Sequence, residues 1–140
     1  MLDNSWRPAR LAELEGKWQG VKLPTNESIS AAQAERLMVL FLEVRDDWLD
    51  AYVNATYYED VCTWKHETAY NVAFIKAEAK SDKSRDIIAK SDPKVMGAKL
   101  AVLEAHAAVI NTKLKMEGAQ LAHHAAKSIF NEASQERKYL

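Results

Sequence analysis

The sequence predicts an all-α protein: a long antiparallel helical hairpin, preceded by a short N-terminal helix, that assembles into an oligomer. Only four Gly and three Pro occur in 140 residues, and residues that favour helix are plentiful. Apolar residues recur every three or four positions, as on one face of a helix. A single polar interruption at residues 81–92 separates two long periodic segments, which therefore fold back on each other. We assign residues 1–29 to the N-terminal helix and linker, and residues 30–140 to the hairpin.

The first helix is predicted over roughly residues 8–19. Pro8 suits a first helical turn, because its missing N–H would be unpaired there. Three apolar residues share one face of this helix: Leu11, Leu14 and Trp18. Gly20 ends it. We expect this N-terminal part to cap the apolar surface of a neighbouring subunit.

The second helix is predicted over about residues 30–80. Ser30 followed by Gln33 has the spacing of a capping box, in which each side chain bonds the other's backbone N–H. Its apolar stripe comprises Leu37, Phe41, Val44, Trp48, Ala51, Ala55, Tyr58 and Cys62. With neither Gly nor Pro inside, about 50 residues at 1.5 Å each form a rod of roughly 75 Å.

The third helix is predicted over about residues 93–132, because Asp92-Pro93 has the form of an N-cap followed by a first-turn proline. Its apolar stripe comprises Met96, Leu100, Leu103, Ala107, Ile110, Leu114 and Leu121. The preceding interruption is predicted to hold a short turn of helix with Ile87 and Ile88 tucked underneath.

A two-helix hairpin has no third layer to cover its apolar surface. We therefore predict an oligomer whose core is built between subunits. The predicted interface residues are Leu37, Phe41, Val44, Trp48, Tyr58, Leu103, Ile110 and Leu114.

Charge is distributed unevenly, although the formal net charge is −1. Residues 1–60 carry six Lys/Arg against eleven Asp/Glu, whereas residues 61–127 carry eleven against seven. Such polarity suggests head-to-tail subunit contacts or an anionic partner at one end.

The sequence also predicts a location. A lone Cys62 cannot form an intrachain disulfide, and the first residues lack the apolar core of a secretory signal. No apolar run approaches the roughly 20 residues of a membrane span. We expect a cytoplasmic protein without membrane association, located in the host cytoplasm if it is phage-encoded.

Enzymatic motifs are absent from the sequence. It has no nucleophile elbow, P-loop or dinucleotide fingerprint, and no Glu-x-x-His pair for a di-iron site. Four carboxylates share a helix face: Glu43, Asp46, Asp47 and Asp50. They suit a hard cation, a solvated face or the basic end of a neighbouring subunit. We predict a non-enzymatic protein without cofactor or metal.

The remaining signal is a cluster of cations around the interruption. It comprises Lys76, Lys80, Lys83, Arg85, Lys90, Lys94 and Lys99. Phosphate contacts use such cations, and single strands also stack on aromatic side chains, for which Tyr70 and Phe74 are candidates. A solvated helix end has the same composition, so the cluster alone leaves both interpretations open.

From about Trp48 to Phe130 the chain resembles the phage UvsY-type recombination mediators. The similarity lies in "AYNVAFIKAEAK", "RDIIAKSDPKV" and the long helix ending near "HHAAKSIF". The resemblance implies a small all-α protein that forms rings, binds single-stranded DNA, contacts a single-strand-binding protein and a recombinase, and helps to load the recombinase. Lys76 matches a basic residue of that family, but Glu78 reverses the charge of the next one. Lys80, one turn beyond Lys76, is placed to compensate.

The leading hypothesis is therefore an oligomeric mediator that binds single-stranded DNA through the cation cluster. The alternative is a helical protein-interaction module, either a scaffold or an inhibitor of a host protein, without nucleic-acid binding. A structural component of a virion or similar assembly is a third hypothesis.

Overall fold

The computed structural model of the chain describes residues 8–22 and 29–139. They form four α-helices and no strand: α1 (Pro8–Lys17), α2 (Ala31–Lys76), α3 (Asp82–Ser91) and α4 (Pro93–Tyr139). The predicted all-α class is confirmed. None of these helices is apolar over a length that could cross a bilayer.

The helix boundaries follow local capping chemistry. Ser30 Oγ accepts a hydrogen bond from the Gln33 backbone N–H at 3.2 Å, and Gln33 Oε1 accepts one from the Ser30 N–H at 3.0 Å. This is the predicted capping box. The α2 helix ends earlier than predicted because Ala77 adopts an extended conformation, with ψ of 125°. Ser81 then caps α3 by accepting from the Ser84 N–H at 3.2 Å.

Helices α2 and α4 pack along each other as the predicted antiparallel hairpin. The stripe predicted on α2 is confirmed as its inner face. Its buried members are Phe41, Val44, Trp48, Ala51, Ala55 and Cys62, with Leu37 and Tyr58 half-buried. The predicted hydrophobic periodicity therefore orients this helix correctly.

The stripe predicted on α4 is not its inner face, and that prediction is wrong. Its large members are between 47 and 70% exposed: Met96, Leu100, Leu103, Ile110, Leu114 and Leu121. Apart from Val95 near its start, the residues buried along α4 are small: Ala105, Ala108, Thr112, Ala119 and Ala126. The bulky Phe41 and Trp48 of α2 occupy the space between the helices, so α4 approaches with its alanine face.

Helix α1 adds a third layer over the part of the hairpin near Trp48. Leu14 is fully buried against Val44, Trp48 and Ala119. Gly20 follows α1 with a positive φ of 83°, a conformation that suits glycine. The hairpin is thus partly covered by its own N-terminal segment, which corrects the expectations that it has no third layer and that this segment caps a neighbour.

Helix α3 lies across the end of the hairpin. Its one buried side chain within the described residues is Ala89, which is 0% exposed. Ile87 and Ile88 are 58% and 45% exposed, so the prediction that both are tucked underneath is wrong. The small side chain of Ala89 permits α3 to lie close to the end of the hairpin, while both isoleucines stay largely exposed.

Candidate nucleic-acid interface

Three helix ends bring the predicted cation cluster to one end of the hairpin. Lys76 is the last residue of α2 and Lys80 lies in the connection to α3. The members on α3 are Lys83, Arg85 and Lys90, and those on the first two turns of α4 are Lys94 and Lys99. The end of the hairpin thus collects residues that the sequence spreads over 24 positions, from 76 to 99.

Two members of the cluster have partners within the chain. Lys90 Nζ lies 3.1 Å from a carboxylate oxygen of Asp86, and Arg85 Nε donates to the Ala79 carbonyl at 3.3 Å. The other five are exposed, and none has an ion pair among the described residues: Lys76, Lys80, Lys83, Lys94 and Lys99. These five ammonium groups are accessible to an external anion.

An open groove of about 640 Å³ lies beside this cluster, where the last turns of α2 meet α3 and the start of α4. Its apolar wall is formed by Ala69, Val72, Ala73, Ala77 and Ile88. Lys65, Lys76 and Lys94 also line it, together with Trp64, which is 63% exposed. Asp92 also lines the groove, and its Oδ1 accepts from the Lys94 N–H at 2.8 Å. An aromatic face and three cations therefore meet in one concave surface.

Sequence reasoning missed Trp64 and Lys65. The signal was present, because Trp64, Thr68, Val72 and Lys76 succeed one another in steps of four residues. Such residues lie along one side of a helix. Trp64 and Lys65 belong to the helix that leads into the interruption rather than to the interruption itself, so the cation cluster did not include them.

The aromatic residues that the sequence favoured have a different role. Tyr70 and Phe74 are half-buried, with ring centroids 6.0 Å apart, and the Tyr70 hydroxyl donates a hydrogen bond to Asp86. This bond, followed by the one from Lys90, holds the pKa of Asp86 below its ordinary value. The same bond raises the pKa of Tyr70. These side chains attach α3 to α2 rather than offer a free stacking face.

The acidic face of α2 lies away from the groove, and one of its four carboxylates, Asp47, joins α2 to α1, whereas Glu43, Asp46 and Asp50 are exposed. Asp47 Oδ2 accepts from Lys17 Nζ at 2.8 Å and from Trp18 Nε1 at 2.9 Å, which ties α1 to α2. Asp46 lies 3.1 Å from Arg45. In the part of the chain that the structure describes, no three His, Cys, Asp or Glu side chains come together in a way that could hold a metal ion.

The residues predicted to form a subunit interface fall into two groups. Phe41, Val44 and Trp48 lie in the chain's own core, where each is at most 7% exposed. They fill the space under α1 and between the long helices, so a second copy has no access to them. Leu103, Ile110 and Leu114 lie on the outer side of α4 and are accessible. Leu37 and Tyr58 are half-buried, so their exposure is intermediate between those of the two groups.

The chain was compared with protein families, with curated proteins and with solved structures. None of the three comparisons finds a match. The resemblance to the UvsY-type mediators therefore stays a prediction from residue patterns, and the geometry of the hairpin end is the main support for a function.

Proposed function

We propose that this protein binds single-stranded DNA at the basic end of its hairpin. The observation that carries the proposal is the groove in which Trp64 stands beside Lys65, Lys76 and Lys94. Proteins that bind single strands combine aromatic faces, on which bases stack, with cations that contact the backbone. Both components are present here in one surface.

Charge supports the same conclusion. Residues 64–99 carry eight Lys/Arg against five Asp/Glu. Of those five acids, Asp86 interacts with Tyr70 and Lys90. Asp92 accepts a hydrogen bond from the Lys94 N–H at the start of α4. Glu78 is exposed in the connection between α2 and α3 and lowers the local positive potential. The neighbouring free ammonium groups of Lys76 and Lys80 outnumber it.

The shape of the groove favours an unpaired strand. Its volume falls within the range of roughly 300–1,000 Å³ that is common for ligand clefts. A base must leave its stack to lie on an indole ring, and this costs least when the base is already unpaired. An exposed tryptophan in a concave apolar wall therefore suits single strands better than duplex.

Fluorescence anisotropy with a labelled oligonucleotide tests the proposal at two salt concentrations. We expect binding that weakens as salt rises, and replacement of Trp64 by Ala should reduce affinity by about 1–3 kcal/mol. Each lysine replaced by Ala should lower the salt-dependence slope by about 0.7, the value for one phosphate contact on a single strand.

Two matched controls come from the same chain. Ile75→Ala removes a 78% exposed apolar side chain beside Lys76 that does not line the groove. Lys127→Ala removes an exposed lysine near the other end of α4. Both should leave affinity unchanged. Absence of binding at low salt, or binding indifferent to Trp64→Ala and to joint replacement of Lys76, Lys80 and Lys83, would exclude this function.

The resemblance alone supports a further part of the proposal, that strand binding assists the loading of a recombinase. Strand exchange on DNA coated with single-strand-binding protein is the relevant measurement. The wild type should accelerate it, and the Trp64→Ala variant should not. If the wild type and the Trp64→Ala variant stimulate strand exchange equally, recombinase loading does not depend on the groove.

Self-association is also part of the proposal, and the exposed large residues of α4 support it. A contiguous apolar face of this kind on a small protein marks an interaction surface. The same face favours the alternative function, a protein-interaction module without nucleic acid. A pull-down from nuclease-treated host lysate distinguishes the two, because a partner retained without nucleic acid would support the module.

A further inference from the structure

The half-buried Arg85 has no acidic partner among the described residues. Arg45, also half-buried, pairs with Asp46 at 3.1 Å, and Arg36 is exposed to solvent. Arg85 takes part in none of the ion pairs that the described residues form. A charge that is partly withdrawn from water is costly unless an opposite charge or hydrogen bonds compensate it. The environment of Arg85 therefore favours an anion from outside the chain.

One hydrogen bond orients the guanidinium of Arg85. Its Nε donates to the Ala79 carbonyl at 3.3 Å, and its backbone N–H donates to the Ser81 carbonyl at 3.1 Å. Within the described part of the chain, neither Nη atom has a hydrogen-bond acceptor. A guanidinium is planar and carries its N–H donors in a rigid fork, so a bond at Nε fixes the direction of the whole group. The edge formed by Nη1 and Nη2 stays available.

The carboxylates closest to Arg85 in the sequence do not bind its guanidinium. Asp86 follows directly, but its carboxylate is bound by a tyrosine of α2 and a lysine of α3. Asp82, one turn earlier on α3, and Glu78, in the connection before α3, are both exposed, and neither has an ion pair in residues 8–22 and 29–139. These two acids reduce the local positive potential, but they leave the outer edge of the guanidinium open.

The connection between α2 and α3 supplies the carbonyl that holds Arg85. Because α2 ends before Ala77 and α3 begins after Ser81, the Ala79 carbonyl lies outside both helical hydrogen-bond patterns. Ser81 caps α3, and the first turn of that helix places Arg85 against the connection it has just left. Lys80, which follows Ala79 directly, is exposed. The connection therefore joins a fixed guanidinium and an accessible ammonium group at one place.

The fixed guanidinium lies beside one end of the groove. Ala77 lines the groove, and its Cα is at most about 7.6 Å from that of Ala79, whose carbonyl holds Arg85. Ile88, one turn after Arg85 on α3, lines the groove as well. Trp64 belongs to the opposite end, about 18 Å before the last residue of α2. A strand with one base on Trp64 and its backbone along the groove therefore reaches Arg85 at the far end.

We infer that Arg85 binds one phosphate of the strand through both Nη atoms, whereas the lysines around it attract the backbone without a fixed geometry. The inference rests on the proposed strand binding and adds its one directional phosphate contact. A guanidinium fork matches two phosphate oxygens, and such bidentate contacts are stronger than those of a mobile, strongly hydrated ammonium. Because the bond to Ala79 already holds the fork, little side-chain entropy is lost when the phosphate is bound.

An exchange of the cation type tests the fork. Fluorescence anisotropy with a labelled single-stranded oligonucleotide compares the wild type with Arg85→Lys and Arg85→Ala at two salt concentrations. Arg85→Lys keeps the charge and removes the fork, so affinity should fall at least about tenfold, as for one lost charged hydrogen bond, while the salt-dependence slope is unchanged. Arg85→Ala should lose at least as much affinity and lower the slope by about 0.7.

Lys83, two residues earlier on α3, gives the matched control, because it is exposed and has no ion pair among the described residues. Lys83→Arg should leave affinity unchanged, and Lys83→Ala should reduce it by no more than about fivefold, the upper value for an exposed ion pair. An Arg85→Lys variant that binds as tightly as the wild type would overturn the inference, because any cation would then suffice. A wild type that does not bind at low salt would overturn it together with the proposed function.

Two kinds of phosphate fit the fork: the phosphodiester inside a strand and the phosphate at a strand's end. Oligonucleotides with and without a 5′-terminal phosphate distinguish them, once the loss in Arg85→Lys is established. Equal affinity for the two oligonucleotides would assign Arg85 to the phosphodiester. A gain of at least about tenfold from the terminal phosphate, absent in Arg85→Lys, would assign it to the strand end.

NMR of the Arg85 side chain tests the contact in the unaltered chain, so the result does not depend on how well a variant folds. Rotation about the Cζ–Nη bonds averages the N–H signals of a free guanidinium, and a bidentate contact slows that rotation. Unlabelled single-stranded DNA should therefore resolve the Nη signals of Arg85, which are identified by their absence from Arg85→Lys. The exposed Arg36 is the control, and its signals should stay averaged. Trp64 resonances that shift on adding DNA without any change at Arg85 would overturn this inference and leave the proposed function standing.

Discussion

The two ends of the hairpin differ in what holds them together. Near α1, large side chains are buried: Leu14, Val44 and Trp48 are 0, 7 and 2% exposed. Near α3, the buried side chains are smaller, with Ala77 at 8%, Ala89 at 0% and Val95 at 3%, and polar contacts through Asp86 attach the short helix. Apolar burial stabilises in proportion to area, so the α1 end should contribute more to the folding free energy than the α3 end. The α3 end has exposed cations and an exposed indole, the groups on which the proposed DNA binding rests.

Trp48→Ala should give the largest effect and tests the difference between the two ends most directly. The indole is buried beneath α1, and its removal should lower the free energy of unfolding by about 3–5 kcal/mol in urea denaturation. Trp64→Ala is the matched control at the other end: because its side chain is 63% exposed, the change should stay within about 0.5 kcal/mol. Equal losses from the two variants would show that the ends are equally packed.

Ala89→Leu should have the next largest effect, through added rather than removed volume. A larger side chain at this fully buried position should push α3 away from the end of the hairpin and cost about 1–3 kcal/mol. Hydrogen exchange should detect the loss locally, as faster exchange in α3 with little change near α1. Ala107→Leu, at an exposed position of α4, is the control for added volume and should leave exchange in α3 unchanged.

Asp47→Ala should have a smaller effect at the α1 end. It removes the acceptor for Trp18 Nε1 and Lys17 Nζ, in a group whose side chain is 28% exposed. We expect a loss of about 1 kcal/mol, since charged hydrogen bonds in partly exposed sites lie at the low end of their range. Greater exposure of Trp18 should appear as a red-shifted fluorescence. Asp46→Ala, one residue away, should cause no such shift.

Tyr70→Phe should have the smallest effect, confined to the attachment of α3. The pKa of Asp86 is held below its ordinary 3.8, so the stabilisation is full above that value and is lost as pH falls through the lowered pKa. The pKa of Tyr70 is raised above its ordinary 10.0, so its share is full below 10.0 and is lost as pH rises through the raised pKa. Tyr70→Phe should return the Asp86 pKa toward its ordinary value in an NMR titration. An unaltered titration would assign the lowered pKa to Lys90 alone.

The sequence predicted what depends on neighbours along the chain. The capping box of Ser30, the restart at Pro93 and the inner stripe of α2 are all set by local spacing, and the structure confirms them. The inner face of α4 was not predicted, because its hydrophobic periodicity points to the large residues. Volume favours the other face: α2 already fills the space between the helices with Phe41 and Trp48, so α4 turns a mainly small-residue face inward.

The candidate site was likewise predicted only in part. The lysines around the interruption were visible as a cluster in the sequence, and the structure gathers them at one end. The groove was not visible, because its wall combines residues of α2 with Ile88 and Pro93 from the following helices. A concave surface depends on how three helix ends meet, and no single periodic pattern records that.

The passage from α3 to α4 takes a single residue. Asp92 is extended, with φ of −63° and ψ of 129°, and the proline after it disfavours a helical conformation there. A junction this short allows α3 few orientations relative to the start of α4. The backbone positions of Lys83 and Lys90 are thereby held at a set angle to that of Lys94, so an anion bridging these lysines would cost little backbone conformational entropy.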